Sequence, residues 1–328
     1  MTGRAAADRA AKAKHDGSWR LVAASGTFVA LLVTIVAGAG SPPADTTAPE
    51  RFIVPSDGHP MTVWARRPAA PRATLLLVHG RTWSSRPDFD LQVPGIPRSV
   101  MASFAARGIA AYAVDLRGYG ATPRDPSGWT TPRRSASDVS NVLAWISRQY
   151  PALPRPALVG WSRGAAVAML AAQSTVARAS ALVMFGFAYD PDARFAEVDP
   201  GPRPAKAPNT RGAASSDFIS PKVTPTPVVR AFVDQALRSD PVTADLRGDD
   251  EFNDLRPERM TVPTLVIFGE RDPGVLPDEA TKLLARLGTT EKQLVVIRGA
   301  DHAAHLEDTH EMWIGAVVGF MERAAGHR

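Results

Sequence analysis

The sequence predicts an α/β fold, a mostly parallel eight-stranded sheet flanked by helices, and three observations carry that expectation. From about residue 51 onward, short apolar runs alternate with longer amphipathic stretches. The apolar runs are uncharged or nearly so inside, as strands covered on both faces should be. The stretches between them have Ala-rich interiors and apolar residues at helical spacing.

Taken in order, residues 51–54 and 61–65, around the turn Ser56-Asp57-Gly58, read as an opening hairpin. Strands are expected at 74–78, 109–114, 157–159, 181–185, 264–268 and 293–297, and helices at 100–107, 136–150, 165–177, 277–287 and 310–325. Gly108 and Gly288 supply C-terminal stops for two of the helices. One connection breaks the rhythm. About 75 residues separate the sixth strand from the seventh, far more than an ordinary connection needs. That segment is Pro-rich at first (Pro191, Pro200, Pro202, Pro204, Pro208) and turns helical over 227–239. It reads as a largely helical cap or lid over the carboxyl ends of the strands, where open α/β sheets bind ligands. The expected organisation is a core in two parts, 51–187 and 264–328, interrupted by a cap at 188–263.

The 38 Lys and Arg outnumber the 33 Asp and Glu, giving a formal charge of +5. Residues 1–20 alone hold Arg4, Arg9, Lys12, Lys14 and Arg20 against Asp8 and Asp16. The surplus is therefore concentrated in a short arm, and no nucleic-acid partner is expected. An uncharged run over 21–40 follows the arm, with small residues Ala37, Gly38 and Ala39 at its end. Residues 1–40 read either as a signal peptide cleaved after Ala39 or as an uncleaved signal anchor. Both place the rest of the chain outside the cytoplasm, secreted or anchored, with membrane contact only through 21–40 if the segment stays. Residues 41–50 read as an extended linker. The absence of cysteine excludes a disulfide framework, a thiolate metal site and a Cys nucleophile.

Chemistry concentrates just after three of the expected strands. Gly160-Trp161-Ser162-Arg163-Gly164 stands between the strand at 157–159 and a helical run. This is Gly-x-Ser-x-Gly in the strand–turn–helix context that makes Ser162 a candidate nucleophile. A serine hydroxyl needs a base, and the base an orienting carboxylate. Asp272 follows one later strand and His302 another, so the order Ser162, Asp272, His302 is the one this chemistry takes on an α/β sheet. His305 could serve as the base instead; His302 is preferred as the nearer to its strand end. Asp190 could replace Asp272, and His302, His305 and Glu307 could in principle ligate a metal, though no further histidines stand at zinc-site spacing. Asp301 reads as a solvated turn residue.

On these residues the chain resembles the α/β-hydrolase superfamily, in its serine-nucleophile branch with an inserted cap, from about residue 51 to the carboxyl end. Two further segments carry the resemblance. His79-Gly80-Arg81 is similar to the family's His-Gly oxyanion loop, and Asp115-Leu116-Arg117-Gly118-Tyr119-Gly120 to its Asp-x-Arg-Gly-x-Gly loop. The resemblance implies an oxyanion hole made of the backbone N–H groups of Arg81 and Arg163. It also implies eight strands, an inserted cap and no cofactor; on the histidine spacing no metal is expected either. His79 is expected to stabilise its turn and Arg117 to tie down a loop. The Arg81 and Arg163 side chains either favour an anionic or carbonyl-rich substrate or are solvated or salt-bridged.

The serine sets aside the family branches whose displacement chemistry uses a carboxylate nucleophile. Acyl transfer to water remains, and the expected activity is hydrolysis of a small-molecule ester, carboxylesterase-like or lipase-like, through an acyl-enzyme. A carbon–carbon bond hydrolase, perhydrolase, iminopeptidase or acyltransferase would present the same motifs, and a non-catalytic binding module could keep the same fold.

Overall fold

The computed structural model describes residues 48–174, 178–196, 206–220 and 222–326. The arm and apolar run over 1–40, and the linker as far as residue 47, lie outside the described residues, as does the Pro-rich stretch 197–205.

The chain opens with an antiparallel hairpin, β1 (Glu50–Ser56) and β2 (His59–Arg66), turned at Asp57 and Gly58, both with positive φ. Six strands follow in the main sheet: β3 (Ala73–Val78), β6 (Ile109–Val114), β7 (Ala157–Trp161), β8 (Leu182–Phe185), β9 (Thr264–Gly269) and β10 (Lys292–Ile297). The order is β1-β2-β6-β3-β7-β8-β9-β10. Pairing is antiparallel from β1 to β6 and parallel from β6 onward. The expected mostly parallel eight-stranded sheet is thus present, and every parallel strand ends on the same edge. Outside it, β4 (Leu91–Val93) and β5 (Ile96–Arg98) form a small hairpin that the apolar runs did not reveal.

Period-two alternation divides the core between the two faces of the sheet. Leu76, Val78, Tyr112, Leu158 and Met184 point to one face, and Leu75, Leu77, Ala111, Val159 and Val183 to the other. The first face is covered by α3 (Pro132–Gln149), α4 (Arg163–Ala172) and α7 (Pro277–Arg286), which bury Val139, Val142, Met169 and Leu283 there. The second is covered by α2 (Val100–Ala105) and α8 (His310–Gly326), through Met101, Phe104, Trp313 and Val317. Strands buried on both faces explain the uncharged runs.

Helix boundaries moved where caps decided them. The helix expected from 136 begins at Pro132, because Thr131 accepts a hydrogen bond from the Arg134 N–H and proline suits a first helical turn. Gly108 has φ +75°, the left-handed stop expected of it. Gly288 is not one. It sits where a Cβ would come within 2.2 Å of the Glu258 carbonyl, so it is required for a close backbone approach.

Between β8 and β9 the insertion carries the short α5 (Arg211–Ser215), α6 (Thr226–Ser239) and two 3-10 turns (Asp249–Asp254 and Pro257–Arg259). It fastens onto the loops at the carboxyl edge. Asp240 accepts hydrogen bonds from the Ser84 and Gly120 N–H groups, both at 2.8 Å, and the Ser220 N–H donates to Asp301 at 2.6 Å. Phe232 of α6 meets Trp83 edge-on at 6.4 Å.

Arg117 ties the β6 loop to the helical layer, as expected of it. Its guanidinium bonds Asp138 through two nitrogens at 2.8 Å, and Asp125 at 2.5 Å, with all three side chains buried. Burial alone would push the Asp125 carboxyl up, but the Ser127 hydroxyl and N–H, then Arg134 and Arg117, hold it well below its usual 3.8. A carboxyl depressed by folding adds stability above pH 3.8 that drains away as pH falls below it. Arg117→Ala leaves two buried carboxylates short of their partner, and should cost about 3–5 kcal/mol in urea unfolding at neutral pH. A loss below about 1 kcal/mol would show the network to be dispensable.

Candidate active site

The turn between β7 and α4 is tight. Ser162 has φ +54° and ψ −127°, a backbone state that a side chain rarely adopts. The surroundings impose it. A Cβ on Gly160 would lie 2.3 Å from the Gly164 carbonyl oxygen, and one on Gly164 would lie 2.3 Å from that of His79. Strand, turn and helix therefore approach closely only because both outer positions are glycine. The Ser162 N–H donates to the Phe185 carbonyl at 2.8 Å, fixing the turn to the end of β8.

The loop after β3 lies against this turn, since a Cβ on Gly80 would be 3.4 Å from the Ser162 Cβ. Arg81 follows on that loop, and Arg163 contributes the first backbone N–H of α4, one of the donors a helix leaves unused. His79 holds the loop as a neutral ring. Its Nε2 accepts from the Leu116 N–H at 3.0 Å, so the proton must sit on Nδ1, which donates to the Gly80 carbonyl at 2.9 Å. Complete burial pushes its pKa down to about 4. Tyr119, not singled out from the sequence, packs on the His79 ring at 4.4 Å and donates its hydroxyl hydrogen to the Arg81 carbonyl. Its place in the Asp-x-Arg-Gly-x-Gly segment was the available signal.

Asp272 and His302 meet. His302 Nδ1 donates to Asp272 Oδ2 at 2.8 Å, and Asp272 Oδ1 accepts from the Gly274 N–H at 2.8 Å. The Asp272 side chain is fully enclosed, while 19% of His302 remains exposed. Burial pulls the His302 pKa down, but the hydrogen bond and charge of Asp272, and then the charges of Asp217 and Asp301, raise it above 6.5 overall. Trp161 steadies His302, donating its indole N–H to that residue's carbonyl at 2.9 Å. Gly186, with φ +60°, leaves room for the ring, since a Cβ there would fall 3.2 Å from its Cε1 and Nδ1.

The alternatives separate in space. Asp190 bonds Lys282 at 2.7 Å on the surface and meets no histidine among the described residues. His305 is fully buried among Trp161, Phe185, Phe89 and Trp313, at 4.5–5.8 Å between ring centres, and burial pushes its pKa well below 6.5. Among the described residues, no group of three or more His, Asp or Glu side chains converges as a metal site.

Asp301 requires a correction. It is fully buried, not solvated, and accepts hydrogen bonds from Ser220 and Ala303. Glu307 lies beside it, accepting from the N–H groups of Asp301 and Ala303, and burial followed by the nearby Asp301 carboxyl pushes its pKa up to about 9. The pair pins the backbone that carries His302. The Arg163 side chain is salt-bridged, to Asp249 at 2.8 Å, with its guanidinium over the Phe252 ring, whereas Arg81 is exposed.

Comparison with known proteins matches this architecture. A serine hydrolase involved in carbazole degradation, the CarC enzyme, is 19% identical and superposes with a TM-score of 0.58, covering 84% of this chain and 99% of that one. A thermophilic esterase from Thermogutta terrifontis is 17% identical, TM-score 0.58, over 84% and 99% of the two chains. The meta-cleavage product hydrolase CumD from Pseudomonas fluorescens IP01 is 15% identical, TM-score 0.57, over 83% and 98%. At these identities the likeness is one of fold. No curated protein matches by sequence. The profile of the alpha/beta hydrolase family matches residues 75–313, which is most of the chain and spans the Ser162 turn, Asp272 and His302. The chain belongs to the alpha/beta hydrolase family.

Proposed function

We propose that the protein is a serine hydrolase that cleaves carboxylic esters, with Ser162 as nucleophile, His302 as base and Asp272 as its orienting acid. The observation that carries this reading is the 2.8 Å His302–Asp272 pair, on the same sheet edge as a serine held at positive φ between two obligatory glycines. Asp272 occupies Nδ1 and leaves Nε2 for the reaction. His302 takes the Ser162 proton as Oγ bonds to the ester carbonyl carbon. The backbone N–H groups of Arg81 and Arg163 receive the charge on the carbonyl oxygen. The carbon–oxygen bond to the alcohol then breaks and His302 returns the proton to the leaving oxygen. Water, activated by the same ring, releases the acid from the acyl-enzyme. The insertion over 188–263 acts as the cap that sets substrate choice, and residues 1–40 direct the domain out of the cytoplasm.

Ser162→Ala should abolish turnover of short p-nitrophenyl esters, by about 10⁴-fold or more, together with labelling by a fluorophosphonate probe. Undiminished turnover would refute the nucleophile. The base acts only when unprotonated, so kcat/KM should rise with pH through the raised His302 pKa, with a midpoint above 6.5. In Asp272→Asn the midpoint should fall and the rate drop by about 10⁴-fold, as the ring loses its hydrogen-bond acceptor and counter-charge. A rate and profile unchanged in that variant would remove Asp272 from its role. The mature mass from fractionated cells should show either loss of residues 1–39 or an intact chain in the membrane; an intact chain free in the cytoplasm would overturn export.

A further inference from the structure

One side chain holds the backbone on both sides of His302. The two oxygens of the Glu307 carboxyl accept from the N–H groups of the flanking residues, Asp301 at 3.0 Å and Ala303 at 3.1 Å. Glu307 is thus a strap across the residue that faces Asp272. A second carboxyl reaches the same place. Asp301 Oδ1 accepts from the Ala303 N–H at 3.2 Å, and Oδ2 from the Ser220 N–H of the insertion at 2.6 Å. Both carboxyl residues are fully buried.

Two carboxyl oxygens, one from each side chain, therefore converge on the single N–H of Ala303. Like charges cannot both persist at such a distance away from water, so a pair placed this way keeps one proton between its members. Among the described residues, the hydrogen bonds of the pair come from backbone N–H groups, with no arginine or lysine ion pair to either carboxyl. The titratable groups around it are His302 with Asp272, Asp217 of the insertion, and His305 and His310. Burial pulls the last two below 6.5, and both stay uncharged. Farther out stand Asp88 of the short helix α1 (Ser85–Phe89), beside His305, and Arg98, paired with Asp308. Above the His302 midpoint, then, no cation paired with either carboxyl offsets a second negative charge.

We propose that Glu307 is a positioning residue for His302 that works only while the Glu307–Asp301 pair holds its one proton: losing it sets two carboxylates against each other, loosens the strap and takes His302 out of line with Asp272. The inference rests on the serine-hydrolase reading, in which His302 is the base. Burial, followed by the Asp301 carboxyl, lifts Glu307 to about 9, so the strap is whole at neutral pH and fails in the alkaline range.

The test is the pH profile of kcat for p-nitrophenyl acetate, corrected for spontaneous hydrolysis. In wild type it should rise through the His302 midpoint and fall again near pH 9. Glu307→Gln keeps a hydrogen for Asp301 and one acceptor for the strap but cannot titrate. Its alkaline fall should vanish, and its kcat at about pH 7.5 should drop by about tenfold or less. Glu307→Ala keeps neither group, and should lower kcat by about 10²-fold while KM moves by less than about threefold. A second arm needs no substrate. Folding raises this carboxyl from 4.5, so the stability held by its protonated form is full at acid pH and drains away as pH climbs through about 9. The melting temperature of wild type should therefore fall between about pH 5 and pH 9 more steeply than that of Glu307→Gln. An alkaline limb unmoved in Glu307→Gln, or a kcat in Glu307→Ala equal to that of wild type, overturns the assignment and leaves the serine hydrolase intact. A chain inert to every ester and to the fluorophosphonate fails as a serine hydrolase, and parallel melting profiles of the two proteins overturn the shared proton in either case.

Discussion

The site depends on one backbone constraint, the positive φ of Ser162. A strand that is to reverse into a helix within a single residue must bring the two so close that no Cβ fits at either flank, and Gly160 and Gly164 meet that demand. The cost of the strained serine, of order 1–3 kcal/mol, is met by burial on both sides: β7 lies in the middle of the sheet and α4 packs almost entirely inside. In return the serine stands at a helix N-terminus, clear of the strand, with the His79-Gly80-Arg81 loop against its Cβ.

Everything else in the site is held relative to that turn by groups with fixed proton roles. His79 is locked as the Nδ1–H tautomer by one donor and one acceptor on the backbone, Tyr119 clasps the carbonyl of Arg81, and Trp161 reaches from beside Ser162 to the carbonyl of His302. Aromatic packing around His305 adds stiffness beneath. The second histidine of the His302-Ala303-Ala304-His305 segment is therefore structural, and its neutral ring packs as an aromatic.

Much of this was legible in the sequence, for local reasons. The strands could be read because burial on both faces leaves no room for charge, and the Ser162 turn because its geometry is enforced by residues two positions away. Asp272 and His302 could be found because each follows a strand within a few residues. What escaped depends on tertiary partners. Asp301 looks like a polar turn residue until Glu307 and the Ser220 N–H from the insertion close around it. The β4–β5 hairpin is too short for periodicity to show, and Pro97 within it reads as loop.

The contact at Gly269 carries a different consequence. A Cβ there would come within 2.2 Å of the Asp301 carbonyl oxygen, and the Arg271 N–H donates to the Ala300 carbonyl at 2.8 Å. The loops bearing Asp272 and His302 are thus joined main chain to main chain, at the ends of two strands paired in register. Residues 276–287, α7 among them, lie on the path between Asp272 and His302 and outside this joint. The spacing of Asp272 and His302 is therefore set by this joint rather than by the helix between them, which makes the glycine opposite Asp301 its hinge-pin.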